Sequence, residues 1–297
     1  RKMPAPMIPT RSVGIAGLVI AIMFYQDQVT SSQSMWLIAL LLCVKMIVGP
    51  TGTIMMYWIM GNYPAMVRIM SEHPEDPRAQ WLGCGAIGWG NGDEKKLASI
   101  ALTGGLDVIV DAMNRHRIYH GVQQEGCNAI KSLALDKNVN DIILSAGGAE
   151  AVLNAMKYGA LGSHHQAIQL SGCGALVHLA VSHKNKDGIV AAGGIDAVLE
   201  CMKKSGANTR VLDNCCSVLI NLSAGHVKNQ ALIAEAGAID VLIRTIMAHP
   251  TQVMLLSKCC WALTNISELL ENRRRIVSAR GVEALVTAMQ THPTHWP

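Results

Sequence analysis

The sequence predicts an all-α protein in which helical repeats stack into a solenoid, with an apolar segment ahead of them. Cys84, Cys127, Cys173, Cys216 and Cys260 recur at intervals of 43, 46, 43 and 44 residues. A glycine-bearing turn keeps the same beat at Gly104, Gly147, Gly193 and Gly237, with Arg280 in the equivalent place. Apolar residues at Val253, Leu256, Cys260, Leu263 and Ile266 fall three or four apart, as one buried helical face requires. Units of this length cannot bury their apolar faces alone, so they stack, and the outer surface of such a stack binds partners while its interior rarely does chemistry.

The apolar segment comes first in the chain. Half of the 297 residues are hydrophobic and only 15% are charged, against about a quarter in ordinary soluble domains. The excess sits in residues 1–61, where Arg1, Lys2, Arg11 and Lys45 face a single acid, Asp27. From Met35 to Met60 the chain is apolar apart from Lys45, and roughly 20 such residues cross a bilayer. Trp36 at one end and Tyr57 and Trp58 at the other match an aromatic belt. Residues 35–60 are therefore expected to span. Residues 13–25 form a shorter apolar helix that would cross or lie at the interface, and Gly17 and Ala21 have the small-xxx-small spacing that lets two helices approach closely. Lys45 is then a snorkelling or subunit-facing residue. The expected domains are an anchor at 1–61 and a solenoid at 62–297. If both segments cross, the basic start shares a side with the repeats, and the positive-inside rule makes that the matrix, stromal or cytosolic side.

Residues 62–297 are nearly neutral and show no basic stripe, which excludes nucleic acid as the expected partner. Nine cysteines do not read as a disulfide framework. Five keep the repeat beat, and Cys215-Cys216 and Cys259-Cys260 are neighbours that point apart on a helix. Free cysteine packs as a small hydrophobe, so a reducing compartment is expected.

Each unit reads as three helices. In the clearest one, Asn229–Glu235 forms the first, Gly237 turns the chain, Ile239–Ala248 forms the second and Gln252–Leu269 the third. The stretches Gly193 to Leu199 and Gly237 to Leu242, with the third-helix endings Ser217 to Ser223 and Trp261 to Ser267, resemble armadillo repeats. The resemblance runs from about Asn62 to Pro297. It implies an armadillo-type α-solenoid of about five and a half units, the first lacking its short helix and the last ending after its second. It further implies a concave groove, lined by third helices, that holds extended peptides. In importin-alpha-like grooves a Trp and an Asn four residues apart serve the peptide, and only Trp261 with Asn265 match both here. The groove and partner-binding candidates are Trp89, Ser132, His178, Asn221, Trp261 and Asn265.

Catalytic patterns are missing. Gly83 to Gly88 fits G-x-G-x-x-G but shares its phase with the third helices, which favours close helix packing over a cofactor. The adjacent His164 and His165 diverge on a helix, and Cys173 and His178 lie on different faces. Arg273, Arg274 and Arg275 read as a solvated face. The expectation is a non-enzymatic protein without cofactor, metal or small-molecule substrate. It would be an accessory or assembly subunit of a membrane complex, partnered by other subunits and the lipid bilayer. An electron-transport assembly of the mitochondrial inner membrane is favoured over the thylakoid. The alternative is a membrane-tethered adaptor that captures a peptide transiently in its groove.

Overall fold

The computed structural model describes residues 49–89, 97, 99–101, 103–158 and 165–292. Among these no strand occurs. The first unit contributes α1 (Tyr63–Glu72) and α2 (Pro77–Gly88), and the second α3 (Gly105–Arg115) and α4 (His120–Leu133), with helical residues 99–101 ahead of them. The next three units are complete. They are α5 (Asn140–Ser145), α6 (Gly148–Tyr158) and α7 (His165–Leu179); α8 (His183–Ala191), α9 (Gly194–Lys204) and α10 (Thr209–Ser223); and α11 (Val227–Glu235), α12 (Ala238–Ala248) and α13 (Val253–Ile266). The last unit ends on α14 (Leu270–Ser278) and α15 (Gly281–Thr291).

The turn between first and second helices is left-handed in every unit. Gly104, Gly147, Gly193 and Gly237 have φ of 84°, 77°, 88° and 87°, and Arg280 is held at 61°. A side chain in that region costs roughly 1–2 kcal/mol. The ion pair of Arg280 with Glu283 is highly exposed at 3.8 Å and offsets little of it. Arg280→Gly is therefore expected to raise the thermal unfolding midpoint by a few degrees, and calorimetry of the two proteins checks it.

One row of the core repeats with the units. Met70, Met113 and Met156 on second helices lie over Gly83, Gly126 and Gly172 on third helices, where an added Cβ would sit 2.3–2.5 Å from the nearest methionine atom. Of the glycines that suggested a nucleotide loop, Gly83 and Gly88 serve close helix contact and Gly85 lies under the Trp89 ring, while Cys84, Cys127 and Cys173 in the same periodic row are fully buried. Each complete unit is also closed on itself by a polar side chain that runs from its first helix to the end of its third. Asn140 donates to the His178 carbonyl at 3.5 Å, Lys186 Nζ to the Ala224 carbonyl at 2.7 Å, and Gln230 Nε2 to Glu268 at 2.6 Å. Lys186 is buried, and desolvation lowers its pKa. Its acceptor caps the end of α10, where the helix dipole favours a cation.

Part of the segment expected as an anchor packs with the repeats. Residues 49–59 are helical, with Ile54 fully buried in the solenoid core and Met56 only 6% exposed. Trp58, read from sequence as part of an aromatic belt, instead meets Trp89 edge-on with ring centroids 6.0 Å apart. Gly61 follows at φ 66°, 43 residues before Gly104, so this helix supplies the short first helix that the first unit was expected to lack. No helix among the described residues is long and apolar enough to cross a membrane. Residues 13–25 and 35–48, with Gly17, Ala21 and Lys45, lie outside the described residues.

Candidate interaction groove

Third helices α2, α4, α7, α10 and α13 pack on one another more extensively than the second helices α1, α3, α6, α9, α12 and α15 do. The more closely packed layer lies on the inside of the curve, so the third helices line the concave face. Two of the candidates are broadly exposed there: Trp89 at 45% and Trp261 at 62%. Trp89 closes the face at the first unit, where Trp58 braces it; Trp261 stands on the last complete unit.

Between the tryptophans, the polar candidates brace the helices. Ser132 Oγ donates to the Gly88 carbonyl at 3.0 Å, Asn221 Nδ2 to Val177 at 2.9 Å, and Asn265 Nδ2 to Ile220 at 3.1 Å. Each bond crosses from one third helix to the preceding one. Such a bond contributes about 1 kcal/mol, and the stranded carbonyl adds a desolvation cost when the donor is removed. Asn221→Ala is expected to lower stability by roughly 1–2 kcal/mol, read from urea unfolding.

His178 occupies the same row on α7 and is half-buried. Burial, reinforced by the nearby Lys131 ammonium, pushes its pKa below the ordinary imidazole value, so it stays uncharged at neutral pH. The acids of this face already have partners. Glu125 is buried and accepts from Gln124 and Asn128 at 3.3 and 3.2 Å, and Asp213 is paired with Lys258. Lys131 is exposed beside them. The face is therefore a rigid wall with an aromatic ring near each end and an exposed ammonium between.

Sequence reasoning missed one gathering of side chains away from this face. Cys173, Cys201 and Cys215 bring their three Sγ atoms within 4.8 Å of one another in the core between the third and fourth units. The basic run at Arg273, Arg274 and Arg275 lies on α14, where Arg274 and Arg275 pair with Glu271 at exposed positions.

Residues 226–268, spanning α11 to α13, match the family model of the Armadillo/beta-catenin-like repeat. The fold is an armadillo-like solenoid. Solved structures extend that likeness over most of the chain. An engineered protein superposes with a TM-score of 0.68 at 21% identity, covering 79% of this chain and 91% of its own. A designed armadillo repeat protein in complex with the peptide (KR)4 gives 0.65 at 18% identity, covering 77% and 92%. A computationally designed armadillo repeat protein for modular peptide recognition gives 0.64 at 15% identity, covering 79% and 99%. At these identities the likeness concerns the fold alone. No curated protein matches the sequence.

Proposed function

We propose that this armadillo-like chain is a non-enzymatic interaction scaffold whose concave face holds an extended stretch of a partner protein. The observation that carries the reading is the exposure of Trp89 and Trp261 on a face where Ser132, Asn221 and Asn265 are tied into the scaffold. Exposed aromatic rings held on a rigid surface are typical anchors of protein interfaces. The designed armadillo repeat protein in complex with (KR)4 supports a peptide as the occupant, but the charge here points to a different one. A basic peptide needs uncommitted carboxylates, whereas Glu125 and Asp213 are engaged and Lys131 stands exposed. The occupant this face favours is neutral to acidic.

Titration of the full chain with a labelled Glu/Ala peptide and with (KR)4 at low salt tests this charge preference. The acidic peptide is expected to bind more tightly, with binding weakened by added salt and by Lys131→Ala. Tighter binding of (KR)4 would reverse the assignment.

Membrane attachment as part of a larger complex keeps only sequence support. With residues 49–59 taken into the solenoid, the apolar stretches left are 13–25 and 35–48, each short of the roughly 20 residues a single span needs. Interfacial binding suits such lengths better than crossing. The scaffold reading needs neither a membrane nor a particular organelle.

A further inference from the structure

We propose that Cys173, Cys201 and Cys215 form a binding site for a single thiophilic metal ion, with zinc the natural candidate. The Sγ atoms of Cys173 and Cys201 are 3.8 Å apart, those of Cys173 and Cys215 are 3.4 Å apart, and all three lie within 4.8 Å of one another. Sulfurs held about 2.3 Å from a tetrahedral zinc are roughly 3.8 Å from each other, so the three thiols stand close to ligating distance without rearrangement of the helices. Among the described residues this is the one place where three potential metal ligands converge.

The repeat pattern does not account for the cluster. Cys173 keeps the periodic cysteine position, but Cys201 and Cys215 depart from the residues most units carry at theirs. The counterparts of Cys201 on the other second helices are Ile69, Ala112, Ala155, Thr245 and Ala288. The counterparts of Cys215 on the preceding third helices are Gly83, Gly126 and Gly172, and only Cys259 follows it. A core that needed small residues was already served by alanine and glycine. Putting sulfur at both places, against the one unit boundary where Cys173 can meet them, yields a donor set of three soft ligands from three helices. Cys216 and Cys259, 3.5 Å apart at the next boundary, form only a pair.

Soft thiolates select zinc or copper(I) over calcium or magnesium. On binding, each of the three thiols gives up its proton to solvent and its sulfur lone pair to the metal, so no oxidant is needed. Because α7, α9 and α10 each supply one ligand, a bound ion ties the third unit to the fourth. Cys201 lies in the last turn of α9, four residues from Ser205, whose Oγ is 3.7 Å from its sulfur, and metal entry is expected from that end.

The test is a titration of the metal-free, reduced full chain with Cd(II), followed by competition with Zn(II). One equivalent is expected to bind with an ultraviolet thiolate-to-cadmium band and to raise the unfolding temperature. Cys201→Ala should fold, because alanine occupies the equivalent place in three other units, and should lose the band. Cys84→Ala should keep it. X-ray absorption of the zinc-loaded wild type, which needs no variant, should show three sulfurs at about 2.3 Å. Absence of binding, an unchanged band in Cys201→Ala, or a shell of nitrogen and oxygen alone would overturn the proposal.

Discussion

Ile54→Asp is expected to lower the stability of the chain by about 3–5 kcal/mol, the cost of an unpaired charge in a buried position. Ile54 is fully buried against the first unit, and nothing basic stands near it on residues 49–59. The helix it belongs to braces Trp58 against Trp89, so loss of the helix also frees one end of the concave face. Met55 provides the control. It neighbours Ile54 on the same helix but is 37% exposed, and Met55→Asp should cost well under 1 kcal/mol. Denaturant unfolding followed by tryptophan fluorescence reads both variants. Equal midpoints for the two would mean that residues 49–59 do not belong to the solenoid.

The second large effect concerns binding. Trp261→Ala is expected to weaken capture of an extended partner segment at least tenfold, since truncating an anchoring tryptophan commonly costs 2 kcal/mol or more. Trp261 is 62% exposed, so the same change should leave the unfolding midpoint nearly unaltered. That separation matters, because Asn265, one turn further on, behaves differently. Its Nδ2 bonds Ile220 and Ser223, so Asn265→Ala should lose stability and affinity together. A Trp261→Ala protein that binds like wild type would remove the aromatic anchor from the account.

Much of this architecture was legible because a repeat prints its own marks. The cysteine beat reports a small position that is buried on four of the five third helices and half-buried at Cys260, and the glycine beat reports a left-handed turn that few other residues adopt. The first unit was misread for a physical reason. Its leading helix buries Ile54 and follows directly on an apolar run, so hydropathy alone merged the two into one apparent span. Gly61 carried the correction, since it falls on the same beat as Gly104. The bracing role of Ser132, Asn221 and Asn265 needed coordinates, because sequence shows that a position lines a face but not whether its donor is already used. The thiol cluster was beyond reach for a similar reason. Cys201 joins Cys173 and Cys215 across three helices, and no local spacing announces that meeting.

The concave face, not the outer one, is expected to receive the partner. A photo-crosslinking residue placed at Ser217 on α10, and separately at Met247 on the outward side of α12, tests this with a peptide selected from a random display library on the wild-type protein. The peptide is expected to be captured from position 217 and not from 247. Capture from 247 alone, or from neither position by a peptide that still binds, would contradict this.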